Sequence, residues 1–305
     1  MRTSLLFLIE QLASRLFRLL PIFLLMLSAG TSAENYSPSE KREAENAVSR
    51  ERFVLHPHRR NFFLPASVAN TKNGPYRNTV EDGEYHDAEI VFQISLKYLL
   101  IENWLREGLD LHTGFTSESW WQAYNADFSR PFRETNYQPE IFLSYTKPWQ
   151  LGNQTVEQVF LSLNHQSNGQ SSALSRSWNR LIAGLVFNPD PKMRWQVQGW
   201  WRIPESEKQG PLDPTGDDNP DIERYLGHGQ LDMDWKRSSK DAWSLSLRHN
   251  LRKNQRGAIE IGYTHHLRPG VNLFLNAFHG YGDSLIYYNQ SIQRFSIGFE
   301  FDSER

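Results

Sequence analysis

His165 and Ser167 stand two residues apart in the run Leu161-Ser162-Leu163-Asn164-His165-Gln166-Ser167. On an extended strand such a pair shares one face with Cα atoms about 6.5 Å apart, close enough for an imidazole Nε2 to reach a serine Oγ. A histidine in that position can take the hydroxyl proton and turn the serine into a nucleophile. Val159, Leu161 and Leu163 precede them with the same parity, while Gln158, Phe160, Ser162 and Asn164 take the opposite face. Both polar residues therefore continue an apolar face. The next alternating segment reads back through Asn179, Leu181, Ala183, Leu185 and Phe187, which puts Asn179 on that face and Arg180 on the other. An amide there can hold the imidazole, the role an aspartate has in soluble serine hydrolases, and it stays neutral where a carboxylate would be costly to desolvate. Parity alone leaves a second reading standing, in which all three are ordinary rim residues that bond water.

The elements that carry these residues alternate with period two. Ala88, Ile90, Phe92, Ile94, Leu96 and Tyr98 oppose Glu89, Gln93, Ser95 and Lys97, and similar segments fall near 60–67, 87–99, 107–118, 137–147, 156–167, 178–187, 193–203, 224–235, 240–251, 256–266, 271–281 and 291–302. Twelve strands result. Their polar faces carry Glu140, Arg180, Arg194, Arg202, Arg224, Arg248, Glu260, Arg294 and Glu300. Alternation does not separate a soluble sandwich from a membrane barrel. Connection lengths do: long segments near 68–86, 119–136, 168–177, 204–223 and 282–290 alternate with short turns such as Arg268-Pro269-Gly270. Long loops at one end and short turns at the other are the pattern of an outer-membrane barrel. Trp120, Trp121, Trp178, Trp195, Trp200, Trp201, Trp235 and Trp243 lie near strand ends, where interfacial girdles belong. The last segment, Phe295-Ser296-Ile297-Gly298-Phe299-Glu300-Phe301, alternates to an aromatic close to the C-terminus. The expected fold is an all-β, twelve-stranded antiparallel transmembrane β-barrel over 57–305.

Arg15 and Arg18, the apolar run 19–27 and the small residues Ser28-Ala29-Gly30-Thr31-Ser32-Ala33 read as a secretory signal peptide over 1–33. A membrane anchor is the alternative, because 1–11 is also fairly apolar. Residues 34–56 are polar without sustained period and read as a flexible periplasmic arm. No later stretch has the roughly 20 apolar residues of a membrane helix, and mean hydropathy is −0.61. With 33 basic and 35 acidic residues there is no basic stripe for nucleic acid, and the absence of cysteine excludes disulfides and thiolate sites. G-x-S-x-G and H-E-x-x-H motifs are missing as well, which removes the common α/β-hydrolase and zinc-protease readings.

Asn164-His165-Gln166-Ser167-Asn168-Gly169 followed by Ser175-Arg176-Ser177-Trp178-Asn179-Arg180 closely resembles the signature of outer membrane phospholipase A. Agreement extends to 119–122 (Ser-Trp-Trp-Gln), 131–137 (Pro-Phe-Arg-Glu-Thr-Asn-Tyr), 217–222 (Asp-Asp-Asn-Pro-Asp-Ile) and 280–286 (Gly-Tyr-Gly-Asp-Ser-Leu-Ile), blocks that cover most of the barrel. The resemblance implies hydrolysis of sn-1 and sn-2 acyl esters of phospholipids and lysophospholipids, with Ser167 as nucleophile, His165 as base and Asn179 as orienting partner. It further implies Ca2+ as cofactor, held by Ser129, the main-chain carbonyl of Gln170 and Ser175, and action as a homodimer in the bacterial outer membrane. The site would face the outer leaflet and the termini the periplasm. Three departures stand out: Gln170 where arginine is familiar, Ser172 where an aspartate can supply a secondary calcium site near Asp218, and Ser117 in place of a glutamine associated with the dimer interface. A channel or adhesin whose His and Ser decorate the rim is the competing class, and an outer-membrane protease a weaker one.

Overall fold

The computed structural model describes residues 37–301 apart from 52, 72–84, 128, 211–212 and 214–215, so the signal-peptide reading of 1–33 lies outside the described residues. The strands are β1 (His56–Pro57), β2 (Asn61–Ala69), β3 (Ala88–Ile101), β4 (Leu109–Trp121), β5 (Phe132–Tyr145), β6 (Trp149–Leu151), β7 (Gln154–Ser167), β8 (Ser177–Phe187), β9 (Met193–Ile203), β10 (Gly229–Lys236), β11 (Asp241–His249), β12 (Gly257–Arg268), β13 (Val271–Tyr281) and β14 (Ser291–Phe301). Setting aside the short β1 and β6, twelve strands pair antiparallel in chain order, and β14 pairs with β2 from Arg294↔Ala69 to Phe301↔Asn61. The sheet closes into a barrel.

Burial along β14 decides between barrel and sandwich. Phe295 is 60% exposed and Phe299 40%, while Ser296 is fully buried and Arg294 and Glu300 nearly so. A soluble protein would bury the aromatics. An apolar outside around a polar inside is the arrangement a lipid environment stabilises.

The interior is polar and crossed by ion pairs, with a cavity left among Glu118, Arg180, Arg248 and Glu260. Arg133 donates to both oxygens of Glu89 at 2.9 and 2.7 Å, and Arg294 bridges Glu89 at 2.8 Å to Asp283 at 2.7 Å. Glu140 receives His58 at 2.9 Å, Arg59 at 2.8 Å and Ser162 at 2.7 Å. Buried charges persist only when paired in this way. At the end of the long loops the plug becomes apolar: Trp178, Ile182 and Trp200 pack on Ile222, Leu226, Leu285 and Tyr288, residues of the loops before β10 and β14. Trp120, Trp178 and Trp200 are therefore buried inside and do not belong to the outer girdle, since each shares parity with an inward charge: Glu118, Arg180 and Arg202.

Two further expectations need correction. Residues 38–51 form a helix, α1 (Pro38–Glu51), where a flexible arm was expected. Ser37 caps it by accepting from Glu40 N at 3.4 Å, Pro38 takes the first helical position, and Glu, Lys, Arg and Ala favour the state. It docks through polar contacts, Arg42 on Asp110 at 2.6 Å, Asn46 on Asp110 at 2.9 Å and Arg50 on Glu102 at 2.7 Å, so no apolar stripe announces it. The segment expected as a strand from 224 begins with a helical turn, α2 (Glu223–Leu226), and the strand starts only at Gly229. Burial of Leu226 in the plug outweighs the local alternation.

Candidate active site

The catalytic candidates sit where β7 and β8 approach their loop. Leu163 pairs with Leu181, His165 with Asn179 and Ser167 with Ser177 across the antiparallel ladder. Leu161 and Leu163 are exposed on the outer wall while Ser162 and Asn164 are buried inside, and the same parity carries His165 and Ser167 outward. Gln166 points inward and accepts from Trp178 Nε1 at 2.8 Å and Arg180 at 3.2 Å, which braces the strand from within.

His165 Nδ1 donates to Asn179 Oδ1 at 2.8 Å. The other nitrogen, Nε2, then keeps its lone pair as the basic position. Ser167 lies two residues further along the same face, but among the described residues no hydrogen bond joins its hydroxyl to His165. Such contacts are often loose before substrate arrives. The fold thus brings His165 and Asn179 together and sets Ser167 beside them.

Asn168, which sequence reasoning did not single out, ties down the following loop. Its side-chain oxygen accepts from Gln170 N at 3.3 Å and Arg176 N at 2.9 Å, and its nitrogen donates to Leu174 O at 2.9 Å. Gly169 follows at φ +65°, with Tyr137 only 3.2 Å from where a Cβ would stand, so a side chain would be both strained and crowded. An Asn-Gly pair is the one signal the sequence offers for this clamp.

Ser175 leaves the same loop and donates to Asp218 Oδ2 at 2.7 Å, joined there by Ser177 at 3.1 Å. The Lys208 ammonium sits on the other carboxylate oxygen. Burial pushes the Asp218 carboxyl up, but Lys208 and the two hydroxyls outweigh it and hold the group below the usual carboxylate range. Asp218 is thereby already neutralised by a cation of the chain's own, which does not suit a secondary calcium site. Ser129 stands exposed between β4 and β5 at φ +54°, and among the described residues no hydrogen bond joins it to Gln170 or Ser175. Serine hydroxyls and a main-chain carbonyl are oxygen donors suited to a hard cation at modest affinity.

The sequence profile described as phospholipase A1 matches residues 39–301. The chain belongs to the phospholipase A1 family. The enzyme named phospholipase A1 in Klebsiella pneumoniae is 30% identical over 281 residues, 89% of this chain and 93% of that protein. Its namesake in Escherichia coli K12 is 31% identical over 81% of each chain. Among solved structures, outer membrane phospholipase A from Escherichia coli superposes with a TM-score of 0.71 at 29% identity, over 82% of this chain and 92% of that one. A Salmonella typhi outer membrane phospholipase, described as a dimer with bound calcium, gives 0.73 at 29% identity over 85% and 96%. The closed twelve-stranded barrel is thus the fold of this phospholipase family. Within it the outward pair His165–Asn179 occupies the wall between β7 and β8.

Proposed function

We propose that the chain is a calcium-dependent outer-membrane phospholipase that cleaves the sn-1 and sn-2 acyl esters of phospholipids, and those of lysophospholipids, on the outer wall of its barrel. The observation that carries this reading is the 2.8 Å contact between His165 Nδ1 and Asn179 Oδ1 on a face otherwise given to aliphatic side chains. Polar groups facing hydrocarbon cost free energy and persist there for a use. A substrate already in the bilayer reaches this face laterally and brings either ester to it.

Ser167 Oγ attacks the acyl carbonyl while His165 Nε2 takes its proton, and the oxyanion collapses with cleavage of the ester C–O bond. His165 returns the proton to the departing alcohol oxygen. A water, deprotonated by the same nitrogen, then frees the fatty acid and restores Ser167. Asn179 holds the imidazole throughout. The Gln170 carbonyl and the Ser175 and Ser129 hydroxyls would hold the calcium ion, which when bound supplies positive charge near the developing oxyanion. The exposed wall of β3, β4 and β5, with Ile94, Phe115 and Tyr137 around Ser117, offers an apolar face for a second copy. The site opens toward the outer leaflet, and α1, docked beside the short β3–β4 turn, lies in the periplasm with the termini. The relatives' names support phospholipase activity, and the calcium-bound dimer of the Salmonella typhi protein supports the calcium ion and the second copy.

The test is fatty-acid release from phospholipid in mixed micelles. Ser167→Ala, and chelation of calcium from the parent protein, each abolish release if the reading holds; undiminished release in either case would sink the corresponding part of it.

A further inference from the structure

Asn179 has a second polar partner. While its Oδ1 accepts from His165, its Nδ2 donates to Glu205 Oε1 at 3.1 Å. Glu205 belongs to the long segment that follows β9. In the ladder Ile203 pairs with Asn179, and the next residue, Pro204, lacks the N–H needed to continue the pairing. The chain leaves the sheet there, and Glu205, with the parity of Ile203, reaches back over the outward face beside Asn179. It is half-buried at the loop end of the barrel, where a carboxylate keeps part of its hydration.

An asparagine amide is nearly symmetric in shape, and its two orientations present opposite chemistry. With its NH2 group toward His165, the amide would require Nδ1 to accept, leaving Nε2 protonated and useless as a base. A carboxylate only accepts, so Glu205 obliges the NH2 group to face itself. The oxygen must then face His165, Nδ1 must carry the proton, and Nε2 is left free on the side of Ser167.

We propose that Glu205 is a positioning residue of the hydrolytic site, a carboxylate that orients the Asn179 amide and through it fixes the His165 tautomer. The proposal rests on the Ser167–His165–Asn179 reading above. The loop thus supplies, one neutral group removed from the imidazole, the negative charge that soluble serine hydrolases set directly against it. The amide relays the charge without bringing it against the apolar wall.

The experiment measures kcat and KM for phospholipid in mixed micelles, with calcium present, for the parent chain, E205Q, E205A, N179D, N179D/E205A and S167A. Heat-modified gel mobility verifies that each barrel is folded. E205A lowers kcat on the order of tenfold with KM within about twofold, and E205Q, which keeps the volume but no longer dictates the amide's direction, falls between. In the N179D background the sign reverses. There a carboxylate accepts from His165 directly and needs no orienting, while Glu205 only repels it, so N179D/E205A is faster than N179D. A purely structural role would make E205A harmful in both backgrounds, and that result overturns the proposal. So does parental kcat in E205A beside an inactive S167A, which leaves the parent reading intact. Activity retained in S167A overturns the parent reading itself.

Discussion

At the level of single residues, the account rests on three side chains whose parity puts them outside the barrel and whose pairing puts two of them in contact. Removing the base or its partner has graded consequences. His165→Ala is expected to lower kcat by about 10²–10⁴-fold, the usual worth of a positioned general base, with KM little changed. Asn179→Ala costs less, on the order of tenfold, because the imidazole remains and only its orientation is lost. Steady-state kinetics on phospholipid in mixed micelles checks both, and equal losses in the two variants would count against the division of roles. The outward placement of His165, Ser167 and Asn179 was legible in the sequence because strands impose a period of two on everything they carry, whereas their roles were implied only by the family resemblance. Asn168, Glu205 and Lys208 were not legible. They lie in loops, where no period relates a residue to the side chain it will meet, and their partners Arg176, Asn179 and Asp218 are fixed only once the strands have brought the loops together.

Elements show the same division between what repeats and what does not. The barrel strands were readable as alternation, and the lipid face of β7 is apolar up to the site. Leu161 faces outward near the middle of β7, so Leu161→Arg is expected to destabilise the barrel by about 2–4 kcal/mol, measured by chemical unfolding in lipid vesicles. A loss under ~1 kcal/mol would place that face away from hydrocarbon. Trp120, Trp178 and Trp200 face the interior rather than the outer girdle, because position near a strand end says nothing about side, whereas their parity with Glu118, Arg180 and Arg202 does. Helix α1 escaped notice since its docking face is polar. That face carries a pH dependence. The hydrogen bond from Arg50, with help from Asn46 and against the effect of burial, holds the Glu102 carboxyl below the usual carboxylate range. A group depressed on folding contributes stability above its unfolded pKa of about 4.3 and loses it as pH falls through the folded value. Amide exchange protection across 38–51, corrected for intrinsic rate, is therefore expected at pH 7 and falls as the pH drops below about 4.3, more readily at high salt because Arg50 is exposed. Protection unchanged at pH 3 would contradict the docking.

For the whole molecule, loops 219–226 and 282–290 form an apolar plug at one mouth of the barrel, next to a polar lumen crossed by paired charges. Alternation predicted an inward polar face, but the plug depends on long-range packing of two loops and could not be read from either alone. The candidate residues His165, Ser167 and Asn179 lie on the outer wall, which under the proposed function substrate and a second copy would reach from the membrane plane. Calcium and assembly follow as coupled expectations. Adding calcium to the folded protein in detergent raises the dimer fraction seen by crosslinking, and chelation reverses it; a crosslinking pattern indifferent to calcium would separate the metal from the contact between copies.

The central claim, that an activated serine faces lipid on the outside of the barrel, is tested most directly by an acyl-chain sulfonyl fluoride followed by peptide mass mapping. The account predicts one modified residue, Ser167, with loss of hydrolysis in step with labelling and no labelling in His165→Ala. Inactivation with the label on another residue, or full activity with Ser167 quantitatively modified, would contradict it.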